Sequence, residues 1–121
     1  MPTVTQRQIR KFYRDRVPEL RRLHWAAPGS DPFGETVIPY GEVWIRPTLP
    51  PGLAWVVAVH EAAHLRAGTH DHGPEFLAAL RALWGEGPVA PSYVLAGLGR
   101  WGLTLAELAL ALNLTLTLWR K

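Results

Sequence analysis

Between Leu53 and Ala67 the chain reads LAWVVAVHEAAHLRA, a run apolar almost throughout that is broken by His60, Glu61, His64 and Arg66. Such a segment predicts a helix covered on nearly every side, closed by Gly68 as its C-cap. Imidazoles and a carboxylate are costly in that setting unless they are paired or bind a metal. The helix therefore constrains the rest of the fold, which must cover its apolar sides and supply partners for its polar groups.

In 121 residues there is room for one domain. With 18 Leu and 6 Trp the chain can build a core, so disorder of the whole is excluded. Cysteine is absent, which removes disulfides, thiol nucleophiles and thiolate metal sites. A metal site must then use His and carboxylates. The sequence shows no signal peptide and no apolar run long enough to span a membrane, so a soluble cytoplasmic protein is the expectation.

The net charge of +3 is unevenly spread. Residues 1–24 carry seven basic side chains (Arg7, Arg10, Lys11, Arg14, Arg16, Arg21, Arg22) against Asp15 and Glu19, whereas the remainder is −2. A nucleic-acid contact is conceivable there; a solvated helix face is the simpler reading. Apolar residues at Ile9, Phe12, Tyr13, Val17, Leu20 and Leu23 predict a basic N-terminal helix over 5–24, kinked or split at Pro18.

Two strands are expected next, Glu35 to Ile38 and Glu42 to Arg46. In the second, Val43 and Ile45 alternate with Glu42, Trp44 and Arg46. After THDHG, Pro74 suits the start of a further helix, with Phe76, Leu77, Leu80, Leu83 and Trp84 as its stripe. Leu-rich helices are predicted within 92–121, the last following the capping-box pattern Thr104-Leu105-Ala106-Glu107.

His60 and His64 stand four apart, so a helix places them one above the other, able to fill two corners of a zinc tetrahedron. Glu61 is rotated by about 100° from His60 and can take a proton from water without binding metal. A third ligand is required; His70, Asp71 and His72 follow in the loop. His72 has the best context, because Phe76 of the next helix can pack beneath the site.

His60-Glu61-x-x-His64 followed by His72-Gly73-Pro74-Glu75-Phe76 resembles the SprT-like zinc metalloproteases, whose pattern is HExxH, a loop, then HGxxF. The resemblance covers about residues 41–84. It implies Zn2+ held by His60, His64 and His72, Glu61 as general base, and a peptide or protein substrate. It also implies an α+β, zincin-like fold: a small antiparallel sheet packed on the HExxH helix, flanked by helices, with Glu42 to Arg46 as the edge strand along which substrate pairs. The loop from His64 to His72 is shorter than in Spartan-type members, and no zinc ribbon or DNA-binding appendage is visible. The YgjP-like spacing would select His70 as third ligand. A metzincin needs Gly where Ala67 stands and a Met-turn, yet Met1 is the only methionine. A gluzincin would use Glu75, Glu86 or Glu107 and leave two loop His unused. Tyr40, Tyr93 and His70 are candidates for stabilising an oxyanion by residue type.

The alternative is a DNA-associated regulatory or interaction protein with a structural zinc. Leu103 to Lys121 resembles a truncated helix-turn-helix, with Asn113 at the turn and Thr115 as the next N-cap. Arg120 and Lys121 are the only cations of its would-be recognition helix, few for groove reading. A structural zinc would use four protein ligands, which His70 and His72 together would allow.

Overall fold

The computed structural model describes residues 6–26, 33–47, 49 and 51–84. Its elements are α1 (Gln6–Arg16), β1 (Arg22–Trp25), β2 (Gly34–Val37), a single 3-10 turn (Ile38–Tyr40), β3 (Glu42–Ile45), α2 (Pro51–Ala67) and α3 (Pro74–Trp84). The fold is α+β. The helices expected within 92–121, the helix-turn-helix resemblance, Tyr93, Glu86 and Glu107 lie outside the described residues. Among those described, no helix is long and apolar enough to cross a membrane.

α2 occupies the middle of the core. Leu53 and every residue from Trp55 to Leu65 are buried, including the motif residues. α1 lays Ile9, Phe12 and Tyr13 against it, one turn apart as helical spacing requires. Phe12 meets the Trp55 ring edge-on at 4.7 Å, and the Tyr13 hydroxyl donates to the Ala58 carbonyl at 2.6 Å. The basic residues Arg7, Arg10, Lys11 and Arg14 are exposed, and Asp15 pairs with Lys11 and Arg14 at 2.6 and 3.2 Å. α3 covers α2 with Phe76, Ala79, Leu80 and Leu83.

The first helix is shorter than the 5–24 predicted. Pro18 disfavours helical backbone at Val17 and has no N–H to donate. The last helical bond runs from Val17 N–H to Tyr13 O, and a turn closes from Leu20 N–H to Val17 O at 3.1 Å. The arm of Arg66 donates through Nη2 to the carbonyl of Arg16 and through Nε to Glu19, satisfying the end of α1. The chain then forms a strand, not a second helical piece. Gly41 O accepts from Arg21 N–H and Arg22 N–H at 2.7 and 3.2 Å, starting β1 beside β3.

The sheet order is β1-β3-β2. β1 runs parallel to β3 with Leu23 opposite Val43, and β2 runs antiparallel with Thr36 opposite the same residue. Two expectations are corrected by this topology. The sheet is mixed rather than antiparallel, and Glu42–Ile45 is its central strand rather than its edge. With neighbours on both sides, β3 has no open edge for a peptide to join. The predicted alternation does hold: Val43 and Ile45 are buried, while Glu42 and Trp44 are half-buried on the other face, where Trp44 stacks on His24 at 4.0 Å.

Gly41 has φ 64°, and a side chain there would approach Glu19 O to 2.9 Å, so the turn into β3 needs glycine on both counts. Gly34 is needed for space alone. A Cβ there would lie 2.7 Å from Val57 Cγ1 and 3.2 Å from Glu61 Cγ, so β2 crosses α2 with nothing between them. Gly34→Ala is expected to cost about 1–3 kcal/mol through overpacking, measured by urea unfolding; an unchanged midpoint would contradict this close approach.

Candidate metal centre

His60, Glu61 and His64 are 7%, 6% and 6% exposed on the third and fourth turns of α2. α2 ends where predicted: Gly68 takes φ 69°, and its N–H donates to His64 O at 2.9 Å. The loop from Thr69 to Gly73 then reverses the chain. Asp71 organises it, accepting from Gly73 N–H through Oδ1 at 2.9 Å and from the Thr69 hydroxyl through Oδ2 at 3.0 Å. These bonds hold its carboxyl below the usual range, and they occupy the group that the sequence offered as a metal ligand. Beyond the loop, Leu77 N–H donates to Gly73 O and α3 begins.

This reversal carries His72 back over α2. His60 Nε2 lies 3.1 Å from His64 Nε2 and 3.4 Å from His72 Nε2, and the three ligand nitrogens fall within 4.8 Å of one another. A tetrahedral ion with nitrogen bonds of about 2.0–2.1 Å needs nitrogens about 3.3–3.4 Å apart. The two closest separations bracket that value, so the three side chains can hold a metal ion. Phe76 floors the group, its ring centre 5.0, 4.5 and 4.8 Å from those of His60, His64 and His72.

Proton positions favour ligation as well. A carbonyl can only accept, so the 2.9 Å contact between His64 Nδ1 and Thr69 O places the His64 proton on Nδ1 and the lone pair on Nε2. Burial pushes His60 down to about 3, with His64 and His72 adding to the effect, and burial lowers His64 too. Both rings are thus neutral and able to donate a lone pair.

His70 stays outside. It is exposed, as His72 is, but its ring centre is 6.1 Å from that of His64 against 4.9 Å for His72, and it is not in the donor group. Glu75 is exposed at the start of α3 and not in the donor group; Tyr40, offered for an oxyanion, is 67% exposed in the turn before β3. Glu61 is likewise not in it. Its Oε1 accepts from the Thr36 hydroxyl at 2.7 Å, and the same hydroxyl is 3.1 Å from the Glu61 main-chain oxygen. Thr36 was not singled out from sequence; its inward position in a strand opposite a buried carboxylate appears only once β2 is packed on α2. The Thr69 carbonyl was missed for a plainer reason, since backbone acceptors leave no mark in a sequence.

Comparison with family models, with curated proteins and with solved structures gives no match to this chain. The geometry of the site therefore carries the functional reading.

Two outcomes follow from this geometry. His72→Ala is expected to lose bound metal and His70→Ala to keep about one ion per chain, by elemental analysis after gel filtration; the opposite pattern would make His70 the third ligand. With a chelator present, the pH profile of stability reports His60. Its ring titrates near 6.5 unfolded and near 3 folded, so between those values the unfolded chain binds more protons. Stability must then fall as pH drops below about 6.5, more steeply than in His60→Asn, by urea unfolding. Equal slopes between pH 6.5 and 5.5 would contradict the burial of a neutral ring.

Proposed function

We propose that the chain is a zinc-dependent metallopeptidase of the SprT-like, zincin-like kind, with His60, His64 and His72 as ligands and Glu61 as general base. The observation that carries this reading is the convergence of three imidazoles, their ligand nitrogens within 4.8 Å of one another and two of the separations at 3.1 and 3.4 Å, on a helix that also buries the neighbouring carboxylate of Glu61. Phe76 beneath all three rings supports the likeness to the HExxH and HGxxF pattern. An all-nitrogen donor set without thiolates suits zinc, with copper, iron and nickel as competitors.

Three protein ligands leave one corner for water or substrate. His60, His64 and His72 would hold the zinc ion, which when bound would supply a water of lowered pKa, about 7, and polarise a peptide carbonyl. Glu61 takes the proton released as the water oxygen attacks the carbonyl carbon, and returns it to the leaving nitrogen as the C–N bond breaks. His64 keeps its lone pair directed by donating to Thr69 O, and Phe76 excludes water from beneath the rings.

A closed structural zinc would require a fourth ligand, and the position of His70 outside the donor group favours the open site. The DNA-associated alternative draws its helix-turn-helix from residues 103–121, which lie outside the described ones.

Glu61→Gln separates base from ligand. Zinc content is expected to stay at about one per chain while cleavage of labelled casein falls by about 10²–10⁴. Full activity in that variant would remove Glu61 from the reaction.

A further inference from the structure

We propose that Thr36 is a positioning residue for Glu61, fixing the plane of its carboxylate through one hydrogen bond from β2; this rests on the reading of Glu61 as general base. Thr36 is 4% exposed, and its hydroxyl has a single proton for two neighbouring acceptors. The Oε1 contact of 2.7 Å is shorter than the 3.1 Å contact to the main-chain oxygen, and a carboxylate is the stronger acceptor. The proton therefore goes to Oε1.

The strand is built around this contact. Gly34 and Thr36 lie on the same face of β2 by the period of two. Gly34 lets the Glu61 stem pass, since a Cβ there would stand 3.2 Å from Glu61 Cγ. Two residues on, Thr36 meets the head of the same side chain. Burial, and after it the nearby Glu61, raises the pKa of Tyr13, whose hydroxyl proton goes to Ala58 O at 2.6 Å. A glutamate otherwise has three rotatable bonds, and a base must be held in line with the proton it takes. Thr36 supplies that restraint from an element separate from the metal ligands.

The test uses the full zinc-loaded chain with labelled casein as probe. Thr36→Val, nearly the same shape without the hydroxyl, is expected to lower kcat about tenfold or more, leaving KM and zinc content unchanged. Thr36→Ser restores the donor and should return kcat to within about twofold of wild type. The second readout does not depend on turnover: the ¹³C carboxylate resonance of Glu61, assigned by its loss in Glu61→Gln, should shift in Thr36→Val but not in Thr36→Ser. Should the valine variant not fold, Thr36→Ala is read the same way. Wild-type kcat or an unshifted resonance without the hydroxyl overturns the proposal, as does a serine variant as impaired as the valine one. A zinc-loaded wild type that cleaves nothing overturns the peptidase reading and any role in hydrolysis, while the resonance still reports whether the hydrogen bond exists.

Discussion

Two imidazoles and a carboxylate in a helix buried along nearly its whole length form the constraint to which the surrounding architecture answers. Left without partners in such a place, neutral polar groups cost about 1–3 kcal/mol each, and an ionised carboxylate costs more. Each group is met by a different element. His64 donates to the Thr69 carbonyl in the loop, and Glu61 accepts from Thr36 in β2. His60 faces His72, which the loop carries back from the start of α3. The sheet and the loop into α3 thus act as polar partners of α2 as well as apolar cover, and removing either would strand a buried group.

The segment after α2 shows how little chain is needed to bring a third nitrogen home. Gly68 ends the helix in the left-handed region, and Asp71 folds the next residues around its own carboxylate. Asp71 is turned upon Thr69 and Gly73; His70 before it and His72 after it are both exposed, but only His72 brings a ring nitrogen, 3.4 Å from His60 Nε2, into the donor group. This ordering separates His70 from His72, which spacing alone does not. It also explains why the loop can be short: Asp71 bonds within it, and Thr69 bonds only one turn back, to His64.

What the sequence made legible is what depends on local periodicity. Val43 and Ile45 alternate as a half-covered strand must, and the buried stretch around Val56 to Ala63 excludes anything but a core helix. Both survive in the fold because burial reinforces them. Leu20 and Leu23 follow the helical spacing of Ile9 and Val17, and there periodicity misleads. Leu23 and Trp25 also alternate with Arg22 and His24, and the carbonyl of Gly41 decides between the two patterns. No local signal carries that choice. The same holds for the central place of β3, settled by β1 arriving on its far side, and for Thr36, whose role exists only across the packing of β2 on α2.

The three rings are not equivalent as ligands. His64 donates its second nitrogen to a carbonyl, the arrangement that ordinarily orients a metal-binding imidazole and raises its basicity. His60 has no such support among the described residues: its Nδ1 is buried and meets no hydrogen-bond partner there. Coordination through Nε2 puts the ring proton on Nδ1, where none of the described residues accepts it. His60 is therefore held by packing, between Phe76 and the neighbouring imidazoles, rather than by a hydrogen bond. A ligand oriented by packing depends on its neighbours being in place first. The floor formed by Phe76 and the loop ordered by Asp71 are then conditions for the centre to form, and the order of dependence runs from the loop to the rings.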